Sequence, residues 1–349
     1  MSSRRNSDQL SLFDSSEPTS EPTRRTTKSI EPATVDTELS ATASQLPLEV
    51  RLGTSSWSFP GWSHIVYAGE HSENLLARKG LAAYARHPLL RCVGIDRTYY
   101  RPVDPETFAA YKAEVSESFR FVVKAHEDLT LPRFSSHPRY GVRSGRENPR
   151  FLDAAYATDA VVGPAVEGLG ETLGPIVFQF SPDRPRDPDD ALRFAERLEG
   201  FLVALPRGPV YAVELRTSAF LTPQYADVLA RTGAVHCLNV HPSMPALAEQ
   251  WARVAIEDGR AVVVRWMLGA GMKYEEARDR YAPFDRLVDE DPDTRGEIAE
   301  RSIAAAMRHI PVYVVANNKA EGSAPLTLFA LAREIARRSR ARAPSARTS

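Results

Sequence analysis

The stretch 209–240, PVYAVELRTSAFLTPQYADVLARTGAVHCLNV, contains a complete structural unit. PVYAVELR (209–216) is apolar, β-branched and of strand length. Residues 222–232 place apolar side chains at three- and four-residue spacing, as a helix requires, and AVHCLNV (234–240) reads as a strand again. A strand, a helix and a second strand at this spacing imply parallel pairing through a right-handed crossover.

The alternation continues on both sides. Strand-like segments stand at 50–55, 92–99, 119–126 and 175–180 before this unit, and at 261–267 and 310–317 after it. Helix-period stretches fall at 75–87, 105–117, 150–172, 188–204, 244–258, 294–308 and 325–338. Eight strand–helix units favour closure into a (β/α)8 TIM-type barrel over an open doubly wound sheet. No Gly-x-Gly-x-x-Gly follows the first strand, which counts against a dinucleotide-binding domain. Two connections, 127–149 after strand three and 268–293 after strand seven, are overlong. Both leave the face where barrels build their active sites, so they read as lids or walls.

Bulk properties bound the rest. The chain has 349 residues, 43% apolar and 26% charged, with a net charge of −1. It carries no global field to draw it to nucleic acid or membrane. Cys92 and Cys237 sit in apolar runs and read as buried thiols of a reducing compartment, with no metal-type spacing. No apolar run reaches membrane-spanning length, and the start MSSRRNSDQLSLF lacks the apolar stretch of a secretory signal. A cytoplasmic protein is expected. Residues 1–46 are rich in Ser, Thr, Glu and Arg and are expected to be a disordered tail; 47–338 make a single barrel domain; 339–349 form a frayed basic tail.

Period-two alternation sorts the side chains of each strand. Lys124 and His126 share a face, as do Glu214 and Arg216 with Ala212, Asp96 with Cys92 and Gly94, and Asn239 with Cys237. Gln179, Arg265 and Asn317 are the polar members of their strands. The lumen is thus expected to carry a polar upper layer. Lys124, Glu214 and Arg265 fall inside or at the edge of apolar strands, where an unpaired charge costs several kcal/mol, so each needs a partner or a ligand. His236 has the opposite parity and reads as a packed histidine.

Two loops add candidates. GTSSWSFPGW (53–62) offers hydroxyl and amide donors at Ser55 and flat walls at Trp57 and Trp62, the latter read mainly as packing. Asn317-Asn318-Lys319 leads to Ser323, an N-cap with Pro325 in the first turn: free amides, a glycine and a lysine form a possible anion cradle. Tyr99 completes the substrate-binding set.

The blocks GTSSWSFPGW, VGIDRTYYRP, FRFVVKAH, LGPIVFQFSP, VELRTSAF and PVYVVANNKAEGSAP, spread from about residue 50 to 335, resemble the signature blocks of the domain of unknown function 72 (YecE-like) family. The NNKAEGSAP ending resembles a subgroup of it. The resemblance implies a TIM-type barrel and supplies no reaction. Two blocks depart from the family pattern. Gly94 and Asp96 stand where the family usually has an acid and an amide, and the seventh strand keeps Arg265 while losing a His and a second Arg.

Two functions follow from these residues. In the first, an enzyme holds a small phosphate- or carboxylate-bearing substrate with Lys124, Arg216 and Arg265; Glu214 or Asp96 is the base and His126 the acid or proton shuttle. A Schiff-base role for Lys124 is open, although the spacing does not select it. In the second, Asp96, His126, Glu214 and His241 hold a metal in a phosphodiesterase, and Arg133, Arg139, Arg143, Arg146 and Arg150 grip nucleic-acid phosphates beside Trp57 or Tyr140. A non-catalytic ligand-binding barrel is a third possibility. The sequence names no cofactor.

Overall fold

A computed structural model describes residues 29–181, 187, 189–254, 259–269 and 271–342. Eight strands close in chain order: β1 (Val50–Thr54), β2 (Leu90–Ile95), β3 (Arg120–Lys124), β4 (Leu173–Gln179), β5 (Tyr211–Glu214), β6 (Val235–Val240), β7 (Val262–Trp266) and β8 (Val312–Ala316). Every neighbouring pair is parallel, and β8 returns to β1 with Thr54 opposite Ala316. This is a TIM-type (β/α)8 barrel.

The helices are α1 (Thr37–Gln45), α2 (Glu73–Lys79), α3 (Leu81–Ala85), α4 (Pro105–Ala113), α5 (Ala154–Ala157), α6 (Gly163–Leu169), α7 (Asp190–Ala204), α8 (Pro223–Thr232), α9 (Leu247–Val254), α10 (Tyr274–Tyr281), α11 (Pro292–Ala306) and α12 (Ala324–Arg342). Their starts are written locally. Asp104, Thr222 and Asp291 accept from a backbone N–H of the first turn, and a proline that needs no hydrogen-bond partner follows each. Among the described residues no helix is long and apolar enough to cross a membrane.

The pleat of the strands divides the core in two. Outward-facing side chains such as Val93, Phe121, Phe178, Val213, Val264 and Val314 pack under the helices. A separate cluster of Cys92, Val122, Val177, Ala212, Cys237, Val263 and Val315 fills the lumen. Two residues further along these strands come Gly94, Lys124, Gln179, Glu214, Asn239, Arg265 and Asn317, so the apolar plug ends and polar groups begin at the C-terminal mouth. At Gly53 the first two strands approach so closely that a Cβ would lie 2.0 Å from the carbonyl oxygen of Cys92, and a register shift marks the spot.

The termini differ from the expectation of two tails. Residues 29–46 are ordered: α1 packs against α12, Pro32 bridges to Tyr67, and Ile30, Leu39, Ala43 and Leu46 are buried. Spaced apolar side chains, sparse though they are, suffice when a helix groove already exists to receive them. At the other end α12 carries on through Arg342, four residues into the expected tail. Residues 1–28 and 343–349 lie outside the described residues.

Candidate active site

Arg265 organises the mouth. From the end of β7 its guanidinium spans the lumen. Nη1 donates to Glu214 Oε2 at 2.6 Å and to Gln179 Oε1 at 3.0 Å, while Nη2 donates to both Asp96 oxygens at 3.0 and 3.1 Å. Gln179 and Glu214 lie opposite one another on β4 and β5, which sets the fork's two targets side by side. Arg216 donates from Nε to Glu214 Oε1 at 2.7 Å, and its Nη2 pairs with the same oxygen. Glu214 is therefore fully buried between two guanidinium groups.

The electrostatics follow from this packing. Burial alone would raise the pKa of Glu214; Arg216, Arg265 and Lys124 overcome it and hold the carboxyl down at about 2. Arg265 is pushed up despite burial, by Asp96 and Glu214. A carboxylate held this firmly is a weak proton acceptor, which moves the expected base role away from Glu214. Asp96, whose side chain is one-third exposed, keeps access to a bound molecule.

Two ammonium groups stand beside this network. Lys124 Nζ lies 3.7 Å from the centre of the Tyr99 ring, and Lys319 Nζ lies 4.3 Å from that of Tyr274. Neither makes an ion pair among the described residues. Burial draws Lys124 down to about 8, with Asp96 opposing and Arg265 assisting. Burial draws Lys319 to the same value, again against Asp96. Asp96 is thus the carboxylate that acts on both lysines. Ser55 and Asn317 complete this side, Asn317 Nδ2 donating to Ser55 Oγ at 2.9 Å. Asn239, in register with Arg265, is buried, its amide donating to the carbonyl oxygens of Leu215 and Cys237.

Several expected site residues lie elsewhere. His126 follows the end of β3, where the chain leaves the pleat for a tight turn over Glu127–Leu129. Its ring meets the Tyr156 hydroxyl on α5 at 3.0 Å, with Asp128 and Arg150 as its charged neighbours. Trp57 is buried against Tyr111 of α4 and donates to the Ala77 carbonyl on α2. The cradle at the start of α12 is occupied by the protein itself. Asn318 Oδ1 accepts from the Ala324 amide at 2.9 Å and from Trp62 Nε1 at 3.0 Å, and Ser323 is fully buried. A Cβ on Gly322 would lie 2.5 Å from the Arg286 carbonyl, so the loop before α11 seals this turn.

The metal arrangement does not form. Both Glu214 oxygens are taken by arginine, His126 points to Tyr156, and His241 Nδ1 is bonded to Ser243 Oγ at 2.7 Å. Among the described residues no three His, Cys, Asp or Glu side chains gather to hold a metal ion. Four of the five arginines at 133–150 are engaged by acids of the same segment, although their side chains remain at the surface. Arg139 pairs with buried Glu127 at 2.5 Å, Arg143 and Arg150 with buried Asp128 at 3.1 and 3.5 Å, and Arg133 with Glu147 at 3.1 Å. Glu127, Asp128 and Tyr274 escape a reading based on strand parity, because all three sit in the connections between strands.

A family model described as protein of unknown function DUF72 matches residues 51–348. The chain belongs to the DUF72 family. Its fold is similar to that of a DUF72 protein from Thermotoga maritima, at 20% identity over 81% of this chain and 97% of that one, with a TM-score of 0.54. It is also similar to a DUF72 protein from Enterococcus faecalis, at 16% identity over 82% and 94%, with a TM-score of 0.52. No curated protein matches the chain. At these identities the DUF72 likeness is one of fold.

Proposed function

We propose that the barrel mouth binds and transforms a small anion bearing a carboxylate or phosphate group. The observation that supports this most is the charge balance of the mouth. Lys124, Arg216, Arg265 and Lys319 face two carboxylates, Asp96 and Glu214, and the arginines already claim both. The two lysines are left to attract a ligand from a partly enclosed site, where a charge–charge contact is worth far more than in water.

The roles then differ from the simplest reading of the sequence. Arg265 and Arg216 hold the floor; Lys124 and Lys319 hold the ligand; Asp96 serves as base. Tyr99 and Tyr274 flank the ammonium groups and present ring faces to the apolar part of the ligand.

The test is thermal melting in a panel of phosphate, sulfate and small mono- and dicarboxylates. A saturable rise in melting temperature that disappears in Lys319→Met, itself folded, supports the reading. No rise with any member of the panel overturns it.

A further inference from the structure

Lysine is rare in this chain. Of 44 basic residues only six are lysine (Lys28, Lys79, Lys112, Lys124, Lys273 and Lys319), and the other 38 are arginine. Two of the six stand at the mouth. Arginine would hold a carboxylate or phosphate at least as well, through its rigid fork of donors. What arginine cannot do is give up its proton and attack carbon.

Lys124 is placed for that chemistry. It ends β3, and its Nζ has a ring face on one side and no hydrogen bond or ion pair among the described residues. Arg265, held in place by Gln179, Glu214 and Asp96, fixes a guanidinium beside it, although these two carboxylates offset much of its charge. Asp96 acts on Lys124 and Lys319 alike and is the mouth's accessible carboxylate.

We propose that Lys124 forms a Schiff base with a small aldehyde or ketone that carries a carboxylate or phosphate, Lys319 holding the anionic end. The inference rests on the anion-binding reading above and names its substrate class. Nζ, as the free amine, attacks the carbonyl carbon, and the C–O π pair moves onto oxygen. Asp96 takes a proton from the nitrogen and returns it to that oxygen, giving the carbinolamine. A proton from solvent, passed through Asp96, lets the oxygen leave as water while the nitrogen lone pair closes the C=N bond. Amine, carbonyl and one proton become a protonated imine and one water; nothing is oxidised or reduced. Burial beside Arg265 leaves Lys124 with a pKa of about 8, so free amine is available near neutral pH.

The full chain is incubated with glyoxylate or with dihydroxyacetone phosphate, reduced with cyanoborohydride, and mapped by peptide mass. The expected result is one saturable adduct at Lys124, exceeding the exposed Lys79, Lys112 and Lys273 by about tenfold or more. The adduct disappears in Lys124→Arg, which keeps the positive charge, and weakens in Lys319→Met. Labelling of Lys124 no greater than that of the exposed lysines, with both probes, overturns the proposal. If phosphate still raises the melting temperature in that case, anion binding stands and only the Schiff base falls. If it raises none in the wild type, the reading beneath fails first.

Discussion

Replacing Glu214 by glutamine changes one charge and almost no volume, which makes it the sharpest probe of the mouth's electrostatics. The native carboxylate is fully buried and shared by Arg216 and Arg265. Glutamine leaves both guanidinium groups buried with one neutral acceptor between them. Breaking a buried ion pair on one side costs about 3–5 kcal/mol, because the surviving charge has no solvent to turn to. The shift of Glu214 from 4.5 to about 2 corresponds to roughly 3 kcal/mol, which agrees in size. The assay is urea unfolding at pH 7 with thermal melting alongside. At roughly 2 °C per kcal/mol for a chain of this size, the melting temperature should fall by about 6–10 °C. Adding Arg265→Met to Glu214→Leu should recover part of the loss, because the pair is then replaced by apolar groups. A Glu214→Gln variant within about 1 kcal/mol of wild type would refute the argument that burial makes this network strong.

Further outcomes follow from the same structure. Glu214 is lowered on folding, so its contribution is present above pH 4.5 and fades as the pH falls from there towards 2; the gap between wild type and Glu214→Gln should close over that window. Buried His87 and His236 and half-buried His241 are drawn down to about 4, so the unfolded chain binds more protons between pH 4 and 6.5; stability should fall on acidification through that range, and calorimetry at pH 5 should detect proton uptake on unfolding. Asn318→Ala strips Trp62 Nε1 and the Ala324 amide of their buried acceptor and should cost about 2–4 kcal/mol in urea unfolding, with no change in anion affinity. A chain starting at residue 47 loses the buried side chains of Ile30, Leu39 and Leu46; at about 2 kcal/mol each, partly offset by ordering entropy, it should unfold at lower urea than one starting at residue 29.

The strands were legible because each carries its apolar run between turn signals, and their parity located the mouth: Ala212 and Cys237 do fill the lumen, and Glu214 does face inward two residues later. Parity fails where the pleat ends. His126 lies past Lys124, in a turn, and the two-residue rule no longer fixes its direction. The α12 cradle misled for a different reason. A glycine, a serine cap and free amides look the same in sequence whether a ligand or a neighbouring loop fills them, and here Asn318, Trp62 and the Arg286 segment fill them. Three of the loop arginines, Arg139, Arg143 and Arg150, were counted without Glu127 and Asp128, which stand in the same segment and pair with them locally. Tyr274 is 45 residues from Lys319, and the parallel pairing of β7 with β8 brings the connections that follow them together.

The central claim is that two lysines at the end of β3 and just past β8 are the mouth's uncommitted charges. It is tested most directly by diffraction from crystals soaked in selenate, a tetrahedral anion whose selenium can be located by its own scattering. The account predicts a strong peak within contact distance of both Lys124 Nζ and Lys319 Nζ, absent from the Lys124→Met, Lys319→Met double variant. Peaks confined to the outer helices, with the mouth empty at saturating selenate, would contradict it.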